Sequence, residues 1–158
     1  MSTLPQLIEE DMAAMEGAMA DLLAKSESSC ALVIDRGGFL ISQSGDSRRF
    51  DTVTIGALAA AMYAATQGIA SLVNESDFKS VYQQGEGYSI LVHNVDEYCL
   101  LVIIFRAQIS VGAVKYYTLT TIGQIAEQMK IAQNRSPDEG LDLSMLNVAD
   151  TADFFRRK

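Results

Sequence analysis

The chain has 158 residues, of which 49% are hydrophobic and 20% charged, and it carries a net charge of −8 at pH 7. This composition is typical of one globular domain that buries a core. Because its 12 Lys and Arg residues are outnumbered by 20 Asp and Glu residues, the chain is poorly suited to bind nucleic acid or an acidic membrane surface.

The first element predicted along the chain is an amphipathic helix over residues 2–25. Apolar residues recur there at steps of three and four, while carboxylates occupy the other faces. The sequence Thr3-Leu4-Pro5-Gln6 predicts the helix start, because a threonine three residues before a glutamine can form a capping box.

A β-hairpin is predicted next. Two short apolar runs, 31–34 and 39–42, flank Asp35-Arg36-Gly37-Gly38, and paired glycines allow the positive φ angles of a tight turn. A phosphate-binding loop is the alternative, but the glycine spacing fits neither a Walker loop nor a dinucleotide fingerprint.

Residues 52–73 contain no charge and are rich in alanine, which predicts a helix from Asp51 or Thr52 to about Asn74. Three explanations of the short side chains compete: a membrane span, a tight internal packing site and a surface for another chain. A span is disfavoured because polar residues interrupt the run and alanine is only weakly apolar.

Periodicity distinguishes two stripes on this helix. The stripe expected to pack on the sheet contains Ile55, Leu58, Met62, Ala65, Ile69 and Leu72. A second stripe, here called the small-residue stripe, contains Ala57, Ala61, Ala64 and Gly68. This stripe, together with Gly56, Ala60, Tyr63, Gln67 and Ser71, is expected to lie largely away from the sheet, where small side chains let another backbone approach closely. A subunit or partner interface is therefore the preferred interpretation.

Three further strands are predicted over residues 77–84, 88–95 and 97–105, followed by a core helix over residues 112–132. The nearly unbroken apolar run of the last strand is typical of a central strand covered on both faces. The order α-β-β-α-β-β-β-α predicts an α+β fold, a five-stranded antiparallel sheet with helices on both faces. Residues 1–132 would form this domain.

Residues 133–158 are predicted to be a flexible linker and a short amphipathic tail. Met145, Val148, Ala149, Ala152 and Phe155 share one side of a short helical pattern. The alternatives are a frayed or self-docked terminus and a tethered peptide that binds in a partner's groove.

No catalytic or metal-binding pattern is found in the sequence. His93 is the sole histidine, no nucleophile motif accompanies it, and no Cys and His spacing matches a metal site. Cys30 and Cys99 are expected to be buried free thiols, since no basic residue precedes an early apolar run. We therefore expect a cytoplasmic protein that has no cofactor and is not itself an enzyme.

The chain from about residue 28 to residue 129 resembles the Roadblock / dynein light chain family, a relative of longin and profilin folds. The likeness is carried by Leu32-Val33-Ile34-Asp35-Arg36-Gly37-Gly38-Phe39-Leu40-Ile41-Ser42, by Gly68-Ile69-Ala70-Ser71-Leu72 and by the strand at 100–105. Within the family the chain is similar to the bacterial MglB group, on the basis of Asp51-Thr52, Ala64-Ala65, Gly68, Asn74-Glu75 and Phe78.

The resemblance implies a homodimer joined edge to edge through the third strand, with Phe78, Val81 and Tyr82 at the dimer interface. It also implies that the paired alanine-rich helices bind a GTP-loaded Ras-like small GTPase of the MglA type. Ala64 and Gly68 are assigned to that contact by position; periodicity adds Ala57, Ala60, Ala61 and Gln67. The tail would supply a second contact through Met145, Val148, Phe154 and Phe155.

Proteins of the MglB group are implied to stimulate GTP hydrolysis by stabilising the GTPase's own catalytic residues, in control of cell polarity or motility. Arg48 and Arg49 precede the helix and could act as arginine fingers, but the resemblance favours plain surface charges. The alternatives are a Roadblock-type dimerisation scaffold that stimulates nothing and a sensor that holds a small molecule between sheet and helices.

Overall fold

The computed structural model describes residues 3–135, and its elements follow the predicted order. The helices are α1 (Glu9–Ser26), α2 (Thr52–Leu72) and α3 (Val111–Asn134). The strands are β1 (Cys30–Asp35), β2 (Leu40–Gly45), β3 (Ser80–Gln83), β4 (Tyr88–Asn94) and β5 (Cys99–Arg106). They form one antiparallel sheet in the order β2-β1-β5-β4-β3.

The two faces of this sheet are covered by different helices, which confirms the predicted α+β fold. α1 and α3 pack on the face that includes Val33, Leu101 and Phe105. α2 packs on the face that includes Leu32 and Val102. β5 lies at the centre of the sheet and is buried from Cys99 to Phe105, as its unbroken apolar run predicts.

The strands at the two edges of the sheet are β2 and β3. β3 is shorter than predicted: it has four residues and pairs with β4, from Ser80 opposite His93 to Gln83 opposite Ile90. Within residues 3–135 the other side of β3 is unpaired. An unpaired edge can accept a strand from another chain.

The predicted start of α1 is wrong, because the helix begins at Glu9 and the expected capping box at Thr3–Gln6 lies outside it. Asp11 caps the helix instead: its Oδ2 accepts a hydrogen bond of 2.8 Å from the Ile8 amide. Its carboxylate also accepts from both terminal nitrogens of Arg135, at 2.8 and 2.9 Å, and from Gln128 Nε2 at 2.6 Å. These bonds join the start of α1 to the end of α3.

The Asp11 side chain is fully buried in this network. The hydrogen bonds from Arg135, supported by those from Ile8 and Gln128, lower the pKa of Asp11 to about 2 although burial opposes the shift. This contact anchors Arg135 to the domain. α3 ends just before it, at Asn134, past the predicted boundary at residue 132.

Candidate protein-interaction surface

α2 begins at Thr52, as predicted, because Asp51 caps it. Asp51 Oδ1 accepts a hydrogen bond from the Thr54 amide at 3.2 Å, and Asp51 Oδ2 accepts one from Thr54 Oγ1 at 2.7 Å. These bonds favour the carboxylate and lower the pKa of Asp51.

The side of α2 that packs on the sheet differs from the predicted one. Its buried residues are Thr52, Gly56, Ala59, Ala60, Tyr63 and Ala70. The predicted packing stripe is therefore wrong: Leu58, Ile69 and Leu72 are 65%, 53% and 82% exposed. Ile55 and Met62, from the predicted stripe, are half-buried at the margin of the side of α2 that packs on the sheet.

Close approach of α2 to the β1–β2 hairpin explains why small residues face the sheet. A β-carbon on Gly56 would lie 3.0 Å from Ile34 Cγ2. Gly38, with φ of +95°, meets the helix backbone directly, since a β-carbon there would lie 2.8 Å from Ala57 Cα. At these separations larger side chains would collide with the neighbouring atoms.

The small-residue stripe lies on the outward side of α2. Ala57, Ala61, Ala64 and Gly68 are all exposed, which confirms their predicted placement. A β-carbon on Gly68 would meet no atom within 4 Å. The space above this stripe is therefore open to another molecule.

Gly56, Ala60, Tyr63 and Gln67 do not share that placement. Gly56 and Tyr63 are buried on the side of α2 that faces the sheet, so their predicted placement is wrong. Ala60 is 5% exposed and belongs to the core cluster beneath α2, so the prediction that it faces away from the sheet is wrong. The sequence pattern misplaced it because the packing side was assigned to the larger apolar residues. Gln67 is half-buried, and its Nε2 donates a hydrogen bond of 3.4 Å to the Phe78 carbonyl.

Sequence reasoning missed the large apolar residues on the outward side of α2. Val53 is 64% exposed, and Leu58, Ile69 and Leu72 lie on the same side of the helix as the small-residue stripe. The exposed residues with apolar or no side chains are here called the α2 surface: Val53, Ala57, Leu58, Ala61, Ala64, Ala65, Gly68, Ile69 and Leu72. The uncharged Thr54 and Ser71 are also exposed. No charged residue occurs between Thr52 and Leu72, and apolar surfaces of this kind mark interaction sites.

Tyr63 fixes the segment that leads from α2 into β3. Its hydroxyl donates a hydrogen bond of 2.7 Å to the Phe78 carbonyl and also lies 3.3 Å from Asp77 Oδ1. The Arg36 guanidinium lies 5.6 Å from the ring centroid. Burial, followed by the charge of Asp77, raises the pKa of Tyr63, which keeps the hydroxyl protonated as a donor.

The three predicted dimer residues lie on or just before β3, at the edge of the sheet. Phe78 precedes the strand and is half-buried. Val81 packs with the α2 face of the sheet. Tyr82 points to the opposite face, where its ring stacks on Phe105 at a centroid distance of 6.2 Å. These side chains are thus divided between the two faces, while their backbone shares one open edge.

An apolar groove connects this edge to the α2 surface. It has a volume of about 210 Å³ and is lined by Ile55, Leu58, Ala59, Met62, Gln83 and Ile90. Because Gln83 is the last residue of β3 and Leu58 belongs to the α2 surface, the edge and the surface form one continuous region.

Arg49, one of the two arginines before α2, has protein partners. Arg49 Nη1 donates a hydrogen bond of 2.9 Å to the Tyr88 hydroxyl, and its Nε lies 3.1 Å from Asp46 Oδ2. The Arg106 guanidinium lies 5.5 Å from the Tyr88 ring centroid. Arg48 is exposed. Arg49 is therefore held against the domain beside the start of α2.

Other chemistry in the described part of the chain is limited. Residues 3–135 hold no group of three or more His, Cys, Asp or Glu side chains that could bind a metal ion.

α2 is long and apolar enough, by length and composition, to cross a membrane. The predicted tail contacts Met145, Val148, Phe154 and Phe155 lie outside the described residues.

Comparisons with known proteins give one family match and several similar structures. The family model of the Roadblock/LC7 domain matches residues 17–105. MglB from Myxococcus xanthus is 23% identical with a TM-score of 0.76, over 83% of this chain and 98% of that one. The gliding protein mglB from Thermus thermophilus is 25% identical with a TM-score of 0.76, over 84% and 100%. A structure described as MglB with tetrameric arrangement is 25% identical with a TM-score of 0.77, over 84% and 99%. No curated protein sequence matches significantly.

Proposed function

We propose, because this chain belongs to the Roadblock/LC7 domain family, that it is a homodimeric regulator of a Ras-like small GTPase of the MglA type. The observation that carries the proposal is the uncharged, exposed α2 surface beside the open edge of β3. Similarity to MglB structures supports this choice of partner.

The homodimer would form by antiparallel pairing of β3 with the same strand of a second copy. Such pairing would satisfy the free backbone groups of the edge and join two sheets into one. Val81 and Tyr82 would flank the new strand pair on opposite faces, with Phe78 next to it. The groove that contains Leu58 would be covered at the same time, so that two α2 helices would lie side by side.

The GTPase would bind to the outward sides of these paired helices. Ala57, Ala61, Ala64 and Gly68 would allow its backbone to approach, and the exposed Ile69 and Leu72 would add apolar contact area. Gln67 would contribute from the margin, while Ala60 is left out because it is buried. Met145, Val148, Phe154 and Phe155 of the tail would provide a second contact.

Stimulation of hydrolysis would not use an arginine finger from this chain. A finger needs a guanidinium that can extend into the nucleotide site. Arg49 is bound by Tyr88 and Asp46, whereas Arg48 is exposed, so both are substituted in the test below. Higher affinity for the catalytically competent conformation of the GTPase would suffice, because preferential binding shifts the population towards that conformation. The chain would act in the cytoplasm with α2 packed on the sheet, and a role in cell polarity or motility is part of the proposal.

The first test is binding and turnover with a purified MglA-type GTPase loaded with GTP or GDP. Gly68→Arg places a long charged side chain on the α2 surface and is expected to abolish binding without unfolding the domain. Gly17→Arg is the matched control, since Gly17 is also helical and exposed and a β-carbon there meets no atom within 4 Å. Equal binding by both variants would remove the α2 surface from the proposal.

The arginine finger is tested by Arg48→Ala combined with Arg49→Ala. We expect stimulated hydrolysis to stay within about threefold of the unmodified protein, whereas loss of a true finger lowers the rate by about 10³-fold or more. A loss of that size would contradict the proposed mechanism. Binding that ignores the nucleotide and leaves hydrolysis unchanged would instead support a Roadblock-type scaffold.

A further inference from the structure

A second exposed apolar surface lies on α3, on the opposite side of the sheet from α2. Tyr116 is 71% exposed and Leu119 is 63% exposed. Gly123 follows at the next helical step, and a β-carbon there would meet no atom within 4 Å. Steps of three and four residues place these positions on one side of the helix. They form what is here called the α3 surface.

Lysines lie at both ends of the α3 surface. Lys115 and Lys130 are exposed and share this side of the helix by their spacing from Leu119 and Gly123. Glu127 lies between Gly123 and Lys130 on the same side by this spacing, and it lines the groove between α3 and α1 together with Gly123 and Asp21. The α3 surface is thus a partly apolar strip with a lysine at each end, on a chain with a net charge of −8.

More positive charge lies near the Lys115 end. Burial lowers the pKa of His93, on β4, and the positive charges of the nearby Lys115 and Lys79 lower it further. Lys79 lies directly before β3. An acidic segment would therefore be attracted to this end of α3 as well as to Lys130.

The chain itself carries a segment of the complementary kind. Residues 141–155, outside the described region, have the sequence LDLSMLNVADTADFF. Helical spacing would place Met145, Val148, Ala152 and Phe155 on one side and three aspartates, Asp142, Asp150 and Asp153, on a flank. The segment is thus acidic and amphipathic, whereas the α3 surface is partly apolar and carries a lysine at each end.

We propose that residues 141–155 bind to the α3 surface of the same chain, antiparallel to α3. Asp142 would lie near Lys130, and Asp150 and Asp153 would lie towards Lys115. This site is distinct from the α2 surface, and the inference does not depend on the proposed function.

The lengths of the two segments match. Lys115 and Lys130 are separated by about 22 Å along the helix, and residues 141–155 would span about 21 Å as a helix. Residues 136–140 can reach about 16 Å when extended, which is enough to cross a helix of about 10 Å diameter. Pro137 and Gly140 are residues that favour a turn there.

The exit point of the chain is fixed by the domain. Arg135 has left the helical conformation, with φ of −65° and ψ of 133°, and both terminal nitrogens of its side chain are bound by buried Asp11. A tethered segment that begins at a fixed point has a high effective concentration at a nearby site. A partner that binds residues 141–155 would then first displace them from α3.

The proposal is tested by disulfide trapping in the full-length chain. One variant combines Gly123→Cys with Ala149→Cys, which the antiparallel arrangement brings together. The matched control combines Ala20→Cys, on an exposed position of α1, with the same Ala149→Cys. The native Cys30 and Cys99 are fully buried, and burial raises the pKa of both thiols, so they compete little.

Under mild oxidation we expect the Gly123→Cys variant to close an intrachain disulfide at least about tenfold faster than the control, because docking raises the local thiol concentration. Adding Lys115→Glu and Lys130→Glu should reduce its rate to that of the control. Equal rates in the two parent variants would overturn the proposal. A disulfide that forms mainly between chains would also overturn it, because a second copy would then supply the segment.

Discussion

Replacing Asp11 by Asn tests the contact between the start of α1 and the end of α3. Asparagine keeps the size of the side chain but removes the negative charge that faces Arg135. The Asp11 side chain is fully buried and that of Arg135 is 13% exposed. The substitution therefore leaves the Arg135 guanidinium without its negative partner and with little contact with solvent. We expect the free energy of unfolding at pH 7 to fall by about 3 kcal/mol.

The pH dependence of this loss identifies its cause. The pKa of Asp11 is lowered from 3.8 to about 2 in the folded protein. A depressed pKa stabilises the fold above the unfolded value, near pH 4, and this stabilisation is lost as the pH falls through the folded value. The shift corresponds to about 2 kcal/mol. The difference in free energy of unfolding between the unmodified and Asp11→Asn proteins should therefore shrink by about 2 kcal/mol as the pH is lowered from 5 to 2.

The assay is urea unfolding at several pH values, at one protein concentration so that any oligomerisation is held constant. Asp21→Asn is the control: Asp21 pairs with Lys25 at 3.2 Å, but both side chains are more than half exposed, and such pairs contribute about 0.5 kcal/mol. The ionic explanation would be refuted if the two proteins, unmodified and Asp11→Asn, differed in free energy of unfolding by the same amount at pH 5 and at pH 2.

Two further substitutions test the packing of α2. Gly38→Ala adds a β-carbon 2.8 Å from Ala57 Cα at a φ of +95°, so we expect the free energy of unfolding in urea to fall by about 2–4 kcal/mol. Gly37→Ala, whose β-carbon would meet the Asp35 side chain at 3.3 Å and the Phe39 ring at 3.8 Å, should lower it by less than about 1 kcal/mol. Equal losses would contradict the close approach. Tyr63→Phe removes the 2.7 Å bond to the Phe78 carbonyl and should lower the free energy of unfolding by about 1 kcal/mol. It should also speed hydrogen exchange at residues 78–80, and unchanged exchange there would show that Tyr63 does not hold this segment.

Local patterns in the sequence predict the elements well but not the contacts between distant segments. The apolar run of β5, the glycines of the β1–β2 turn and the Asp51 cap each act through neighbouring residues, and each is confirmed. The start of α1 was wrong because its cap, Asp11, is selected by Arg135 and Gln128 at the far end of α3. Nothing in the local sequence identifies partners at that separation.

The buried side of α2 was wrong for a related reason. Periodicity shows which residues share a side of a helix, and the choice between sides then rests on hydrophobicity. Here the sheet approaches so closely that Gly56, Ala59 and Ala60 fit against it, while Leu58, Ile69 and Leu72 do not. The pair of glycines at 37 and 38 was a signal that sequence reasoning used only for the turn, although Gly38 also permits contact with α2.

The short side chains of α2 therefore have two separate explanations, one for each side of the helix. On the inner side they let the helix lie close to the sheet and its hairpin: a β-carbon on Gly56 would lie 3.0 Å from Ile34 Cγ2, and one on Gly38 would lie 2.8 Å from Ala57 Cα. That reason does not extend to Ala61, Ala64 and Gly68, which face solvent and contact no part of the sheet core. Large polar residues at those positions would cost the isolated domain little. The proposed binding of a second chain to this side of α2 would account for their absence and for the exposed Leu58, Ile69 and Leu72.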